Sequence, residues 1–297
     1  MGFVPWSYCG ELAGAELILV DKNTQTNYSS VRHLDTYVTG VSPENPSVQN
    51  QEALMSFKTR VALAVVAAGL VIPATAAENA IPPVGKAVKL FNGKNLDGFD
   101  TFLKTKGLNN DPDKVFQVEH GVVHISGSEF GYILTKKEYE NYYLRAEFKW
   151  GEATHDPRAG KARDSGILLH VVGPNNVWPR SIEFQVIEGG TGDILMVGGT
   201  QVTVKGVSKD KGRFDRFGKG PFQDVAGYRD PGNELEKPHG EWNVLELIAD
   251  GNSIRYLVNG HLANEGTVSS ETRGKLLFQS EGAEVFFRNM VLRPLKK

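Results

Sequence analysis

The stretch Tyr143-Leu-Arg-Ala-Glu-Phe-Lys-Trp150 alternates apolar and polar side chains at every second residue. In an extended segment, Leu144, Ala146, Phe148 and Trp150 would lie on one face and the intervening residues on the other. A period of two is typical of a β-strand with one buried face. We therefore predict a half-buried strand here.

Similar short segments flank this strand, and turn residues separate them. Asp250-Gly251 joins a segment that begins at Trp242 to one that ends at Val258, and Asn259-Gly260 starts the next turn. Asp-Gly and Asn-Gly accept positive φ angles and are strong hairpin signals. Ten or more such strands, with no long amphipathic helix among them, predict an all-β fold. We expect two antiparallel sheets packed as a jelly-roll sandwich.

The composition restricts the partners and the chemistry. The 297 residues include 33 glycines and 14 prolines, which favours many turns, and the net charge is −2. Such a chain is not drawn to phosphate backbones, so we expect no nucleic-acid partner. Cys9 is the only cysteine, which excludes an intramolecular disulfide and a thiolate metal site.

Residues 55–76 have the three parts of a secretory signal peptide. Lys58 and Arg60 form a positive start, Val61 to Ile72 is an uncharged apolar run of 12 residues, and Ala74-x-Ala76 supplies small residues for cleavage. A membrane span needs about 20 apolar residues. We therefore expect a periplasmic or secreted protein that is cleaved near Ala76 and is not stably inserted in a membrane.

The signal also predicts the domain organisation. We interpret residues 1–54, which show no sustained periodicity, as an unstructured upstream extension, with translation starting at Met55. Residues 77–87 form a patternless leader, and residues 88–297 form one domain. The segment from Lys205 to Pro238 is rich in Gly, Lys, Asp and Pro, with interspersed aromatic residues, which favours an ordered loop beside a site.

Five strings in this order carry a family resemblance: Leu90-Phe-Asn-Gly-Lys-Asn-Leu-Asp-Gly-Phe99, Asp164-Ser-Gly-Ile167, Glu183-Phe-Gln-Val186, Lys237-Pro-His-Gly-Glu-Trp-Asn243 and Val285-Phe-Phe-Arg-Asn289. Together they resemble the 3-keto-disaccharide hydrolase family, over about Val88 to Leu295. The resemblance implies a concanavalin-like jelly roll and action on glycosides, often ones oxidised at C3.

The chain departs from the family pattern at two places. Family members often have Asn-Ser-Gly-Ile followed by an arginine, whereas this chain has Asp164 and then His170. A histidine often follows the Leu-Gln of the penultimate strand, whereas here Gln279 is followed by Ser280 and Glu281. These differences indicate a subfamily with altered chemistry.

The segment Arg180-Ser-Ile-Glu-Phe-Gln-Val-Ile-Glu188 contains the main candidates. Its residues Ile182, Phe184 and Val186 share one face, so Glu183 and Gln185 are expected on the open face. Glu188 has the opposite parity unless a bulge intervenes. The pattern resembles the Glu-x-Asp-x-x-Glu signature of concanavalin-like laminarinases, where two carboxylates about 5 Å apart suit a retaining glycosidase. Solvated strand residues are the alternative.

A 3-keto substrate would need a different set of catalytic groups, because its ketone makes the C2 proton acidic. One base would remove that proton, one acid would assist the leaving group, and a further group would polarise the ketone. Glu183 or His170 could be the base, with Glu281 as a further carboxylate. A divalent metal could polarise the ketone, although the sequence gives no ligand spacing for it. His170 could equally be a hydrogen-bonded core residue.

The remaining candidates would bind the substrate. Gln279 shares a strand face with Glu281, and Trp178 could stack on a sugar. The other candidates are Gln185, Asp164, Glu188 and Asp193, the last two at the ends of a glycine-rich segment. We therefore predict a glycoside-cleaving hydrolase or eliminase. The alternative is a non-catalytic carbohydrate-binding module or lectin, and the oligomeric state is left open.

Overall fold

The computed structural model describes residues 80–216, 222–268 and 270–296, and every regular element among them is a strand. The strands are Val88–Lys89 (β1), Phe99–Leu103 (β2), Gly107–Leu108 (β3), Phe116–Glu119 (β4), Val122–Ile125 (β5), Gly131–Thr135 (β6), Tyr142–Thr154 (β7), Asp164–Val172 (β8), Arg180–Ile187 (β9), Ile194–Val197 (β10), Val202–Val204 (β11), Val207–Lys209 (β12), Gly212–Phe214 (β13), Asn243–Asp250 (β14), Ser253–Val258 (β15), His261–Val268 (β16), Lys275–Ser280 (β17) and Ala283–Pro294 (β18). The signal peptide and the upstream extension predicted from the sequence lie outside the described residues.

The strands form two antiparallel sheets. Sheet A has ten strands in the order β12-β11-β16-β15-β14-β7-β18-β5-β4, with β1 paired to β18. Sheet B has eight strands in the order β13-β10-β9-β8-β17-β6-β2-β3. This arrangement confirms the predicted all-β jelly-roll sandwich. Among the described residues, no helix has the length and apolar character needed to cross a membrane.

The alternation seen in the sequence decides which side chains form the core. The apolar positions of β7 from Leu144 to Trp150 lie in the main buried cluster, and so do Ile182, Phe184 and Val186 of β9. Phe184 stacks on Tyr256 of sheet A, with 4.2 Å between ring centroids. Since the even-numbered residues of β9 face the core, its odd-numbered polar residues lie on the outer face of sheet B.

The outer face of sheet B also carries a small apolar cluster. Its buried members are Tyr132, Leu134, Leu168, Val171 and Leu277, and Phe102 packs against them. The Tyr132 hydroxyl donates to Asn175 Oδ1 at 3.3 Å, and Phe130 meets Trp178 edge to face at 6.1 Å. The loop between β8 and β9 therefore packs against this part of the sheet.

Residues 83–85, which the sequence analysis placed in a patternless leader, pair with the C-terminal segment. Val84 forms an isolated bridge with Leu295, and the Gly85 amide donates to the Pro294 carbonyl at 2.7 Å. The paired part of the leader thus extends the edge formed by β1 and β18.

Candidate active site

Three adjacent strands bring polar side chains together over Gly166. In the pairing register, Gly166 of β8 lies opposite Gln185 of β9, and Leu168 lies opposite Glu183. On the other side of β8, Phe278 of β17 pairs with Ile167, which places Gln279 beside Gly166. A Cβ atom on Gly166 would lie 2.3 Å from Glu183 Oε1 and 2.4 Å from Gln279 Oε1. Because glycine has no side chain, the ends of the Glu183 and Gln279 side chains occupy the space above Gly166.

The side-chain oxygens at this position are buried acceptors without donors. Glu183 is 4% exposed, Gln185 3% and Gln279 2%. Among the described residues, the Oε1 atom of each has no hydrogen-bond partner. An unsatisfied buried polar atom costs about 1–3 kcal/mol. A ligand that brings hydrogen-bond donors, such as sugar hydroxyls, would remove this cost.

Three carboxyl groups surround the same point. Asp164 Oδ1 accepts a hydrogen bond of 2.6 Å from Gln185 Nε2. Burial raises the pKa of Asp164, and burial together with the charge of Asp164 raises the pKa of Glu183. Burial and the charges of both neighbours also raise the pKa of Glu281. Because like charges disfavour each other's ionisation, the three groups retain protons towards neutral pH. We call Asp164, Glu183 and Glu281 the acid cluster.

Two arginines that the sequence analysis did not select flank the acid cluster. Arg158 NH2 lies 3.6 Å from Asp164 Oδ2. Arg213 of β13 lies opposite Leu195, which in turn pairs with Glu183. Neither arginine belongs to a motif. The available sequence signal for Arg213 was its place in the segment from Lys205 to Pro238, which has interspersed aromatic residues. The Arg213 guanidinium lies 4.6 Å from the ring centroid of Phe222, which belongs to the same segment.

Trp178 lies at the exposed end of the site, as a sugar-stacking residue would. Its side chain is 47% exposed, and it lines a cleft with Phe130, Gln279 and Glu281. The indole also forms a hydrogen bond with Glu281, which lowers the pKa of that carboxyl, although burial outweighs this effect. The structure thus brings five predicted site residues together with Trp178: Asp164, Glu183, Gln185, Gln279 and Glu281.

Glu188 is not brought to the acid cluster. The pairing of β9 with β8 runs without interruption from Ile182 to Ile187, so no bulge turns Glu188 towards Glu183. Instead, Glu188 Oε1 pairs with Arg163 NH1 at 2.9 Å, and Oε2 accepts from the amides of Arg163 and Gly227. The two-glutamate arrangement expected from the laminarinase-like pattern is therefore absent from this strand.

Asp193, directly before β10, has partners on both of its oxygens. Oδ2 pairs with Arg213 NH1 at 3.1 Å, and Oδ1 accepts from the Arg216 amide at 2.8 Å. Burial raises the pKa of Asp193 to about 6. Its geometry holds Arg213 beside the site and leaves its carboxylate bound to protein donors.

His170 lies in the interior of the sandwich. It occupies a bulge of β8 with φ 54° and is completely buried, with its ring edge to face with the core residue Tyr142 at 6.0 Å. Its Nδ1 lies 2.9 Å from the Glu271 carbonyl, and burial lowers the pKa of His170 to about 4. His170 therefore lies where a hydrogen-bonded core residue would lie, and not beside the acid cluster.

The sequence left open a divalent metal that would polarise the ketone. Among the described residues, no three His, Cys, Asp or Glu side chains are arranged to hold a metal ion. The acid cluster is thus not arranged as a metal site within the described part of the chain, and its proton transfers are assigned to protein side chains alone.

This outer sheet face, with its acid cluster and exposed tryptophan, is the arrangement of a β-sandwich domain that acts on carbohydrate. Residues 86–293 match the family model described as "3-keto-alpha-glucoside-1,2-lyase-like domain". The chain belongs to this family, which confirms the resemblance found in the sequence.

Several solved structures have similar chain traces. A protein assigned as a glycosyl hydrolase from Parabacteroides distasonis is 25% identical, with 71% of this chain and 94% of that one covered and a TM-score of 0.47. A laminarinase from Flavobacterium sp. is 12% identical, with 71% and 99% covered and a TM-score of 0.43. The carbohydrate-binding module CBM66 from Bacillus subtilis is 10% identical, with 66% and 95% covered and a TM-score of 0.39. Comparison with the curated proteins gives no match.

Proposed function

We propose that the protein is an exported enzyme that cleaves glycosides carrying a ketone at C3. The observation that carries the proposal is the convergence of the acid cluster with three unpaired buried acceptors over Gly166. The acceptors suit sugar hydroxyls, and carboxyls that share protons suit a reaction that both removes and supplies a proton. The family description supports a 3-keto sugar as substrate and elimination as the reaction.

The acid cluster can divide the two proton-transfer roles. Burial raises the pKa of Asp164, but the Arg158 charge and the hydrogen bond from Gln185 oppose this rise, so Asp164 is assigned as the base that takes the C2 proton. The electron pair of the C2–H bond forms the C1=C2 double bond, and the C1–O bond breaks. Glu183 has a pKa raised by burial and by the charge of Asp164, and is assigned as the acid that protonates the leaving oxygen. Addition of water across C1=C2 would complete a hydrolysis.

The sequence left Glu183 open as base, nucleophile or acid, and a pKa raised by burial and by the charge of Asp164 favours the acid. His170 is assigned no role, because its ring faces the core. Trp178 is assigned to stack on the sugar, and Gln279 to accept from a sugar hydroxyl.

The test is to incubate the protein with matched native and 3-keto disaccharides, with and without EDTA. We expect release of monosaccharide from the 3-keto substrate only, with an enone absorbance if the reaction stops at elimination. Equal cleavage of the native disaccharide would overturn the 3-keto assignment. Binding without product would instead support the carbohydrate-binding alternative.

Glu183→Gln tests the acid directly. The amide keeps the size of the side chain but carries no transferable proton, so we expect kcat to fall about 100-fold or more. Binding of the 3-keto disaccharide, measured by calorimetry, should change much less. Glu138→Gln is the matched control, because Glu138 is an exposed partner of Arg273. If Glu183→Gln retains the wild-type kcat, the role of Glu183 is wrong.

Export is a separate part of the proposal. It depends on the signal peptide in residues 55–76, and cell fractionation with N-terminal sequencing tests it. A periplasmic or secreted product that begins near Ala77 is expected, whereas an uncleaved cytoplasmic protein would contradict export.

A further inference from the structure

Arg158 is held by a carboxylate outside the acid cluster. Arg158 NH2 lies 2.8 Å from Asp224 Oδ1, and NH1 donates to Asp224 Oδ2 at 3.2 Å. This is a two-point ion pair, the geometry in which a guanidinium binds a carboxylate most specifically. The Arg158 side chain is 14% exposed and that of Asp224 is 43% exposed. The pair therefore links a partly buried cation of the site to the protein surface.

The same guanidinium nitrogen also faces the acid cluster. Arg158 NH2 donates to the Ala162 carbonyl at 2.6 Å and lies 3.6 Å from Asp164 Oδ2. The Arg158 charge lowers the pKa of Asp164 and of Glu281, whereas the Asp224 charge raises the pKa of Asp164. Asp224 and Asp164 thus compete for one positive charge.

The backbone near Asp224 is anchored independently of this ion pair. The Ala226 amide donates to the Gly160 carbonyl at 3.3 Å, and the Gly227 amide donates to Glu188 Oε2 at 2.8 Å. The stem of Arg158 packs closely on Gly282, where a Cβ would lie 2.6 Å from Arg158 Cγ. Removal of the Asp224 charge should therefore leave the surrounding backbone and the Arg158 stem in place.

We infer that Asp224 is a positioning residue of the proposed site, which holds the Arg158 guanidinium and limits how much of its positive charge acts on Asp164 and Glu281. This inference rests on the proposed function only for its kinetic readout. The charged and titratable groups around Asp164 are Arg158, Glu183, Arg213, Asp224 and Glu281.

The test is a carboxyl-carbon NMR titration of the full chain with labelled Asp, in wild type and in Asp224→Asn. Loss of the Asp224 charge frees Arg158 to act on Asp164, so the Asp164 midpoint should move about 0.5–1 pH unit lower. The acidic limb of the pH–rate profile, which reports ionisation of the base, should move in the same direction. Asp224→Glu, which retains the charge, should restore most of the wild-type titration.

Asp113→Asn is the control, because Asp113 is an exposed partner of Lys106 and its loss changes the net charge by the same amount. Thermal unfolding of each variant checks that the fold is retained. Coincident Asp164 titrations in wild type and Asp224→Asn, or an equal shift in Asp113→Asn, would overturn the inference. A shift specific to Asp224→Asn in a protein that shows no turnover would support the inference while the proposed function fails.

Discussion

Gly166 has no side chain, and Glu183 and Gln279 occupy the space that a Cβ atom would take. Gly166→Ala would place a Cβ 2.3 Å from Glu183 Oε1, which must then move together with Gln279. Since a displacement of about 1 Å in a catalytic group can cost about 100-fold, we expect kcat/KM to fall by about that factor. Steady-state kinetics on a 3-keto disaccharide measure this effect.

Gly85→Ala is the matched control for Gly166→Ala. A Cβ on Gly85 would meet its nearest neighbour, the Pro294 carbonyl oxygen, at 3.4 Å, and Gly85 is remote in the chain from the acid cluster. We expect both variants to keep a melting temperature close to that of wild type, because neither glycine has a positive φ. Unchanged kinetics in Gly166→Ala would show that the site does not need this space.

The sheet face on which a side chain lies was predictable from the sequence where the strand is regular. Glu183 and Gln185 lie on the outer face of β9, as the alternation indicated, because Phe184 and Val186 are drawn into the core. His170 was not predictable in the same way. A bulge between Leu169 and Val172 changes the side-chain direction, and no turn residue in this apolar run marks it.

At the scale of elements, the turn from Glu188 to Asp193 depends on one buried cation. Arg216 is 1% exposed and donates to the carbonyls of Thr191 at 3.0 Å and Gly189 at 2.6 Å. Arg216→Lys keeps the charge but loses the planar fork, so we expect a loss of about 1–3 kcal/mol in the free energy of unfolding. Chemical denaturation measures this loss.

The control for Arg216→Lys is Arg273→Lys, because Arg273 is 58% exposed in its pairs with Glu138 and Glu140. Exposed ion pairs contribute about 0–1 kcal/mol, so this variant should unfold close to wild type. Equal stability of all three proteins would mean that the Arg216 fork does not hold the turn.

The sequence pattern predicted strands and turns well where neighbouring strands in the chain pair with each other. The hairpin at Asp250-Gly251 joins β14 to β15, as its turn residues indicated. The contacts of Arg158, Arg213 and Asp224 were not predictable, and the pair of Arg158 with Asp224 joins segments 66 residues apart. Their side chains carry no periodic signal, and only the folded sheet brings them to Asp164 and Glu183.

At the scale of the whole molecule, strand count and turn density were sufficient for the two-sheet class, because both sheet faces and their turns leave a local signal. The order of strands within the sheets was not predicted. It places β17, near the C-terminus, between β6 and β8, and this non-local pairing brings Gln279 to Gly166. The acid cluster is thus a product of topology more than of any one motif.

The acid cluster and Glu236 make the stability of the molecule depend on pH. Burial raises the pKa of Asp164, Glu183 and Glu281, and it raises the pKa of Glu236 to about 7. In the unfolded chain these carboxyls have pKa values of about 4. Between those two limits the folded state binds more protons, so stability falls as the pH rises.

Other groups oppose this trend only at lower pH. His170, with a folded pKa lowered to about 4, stabilises the fold above its unfolded pKa of about 6.5 and loses this contribution as the pH falls. Glu147, Glu271 and Glu284 have lowered pKa values and act at still lower pH. Between pH 6.5 and 8, the carboxyls with raised pKa values therefore determine how stability changes with pH. The melting temperature should fall across this interval.

Glu236→Gln tests this account, because it removes one raised carboxyl but keeps a side chain of the same size between Trp150 and Thr191. A change of 1 kcal/mol shifts the melting temperature of a domain of this size by about 2–4 °C. We expect a drop of that order in wild type from pH 6.5 to 8 at fixed ionic strength, and a shallower drop in Glu236→Gln. Glu138→Gln, which alters an exposed carboxyl, should follow wild type. A melting temperature that stays level or rises from pH 6.5 to 8 would show that the buried carboxyls are ionised in the folded protein without cost.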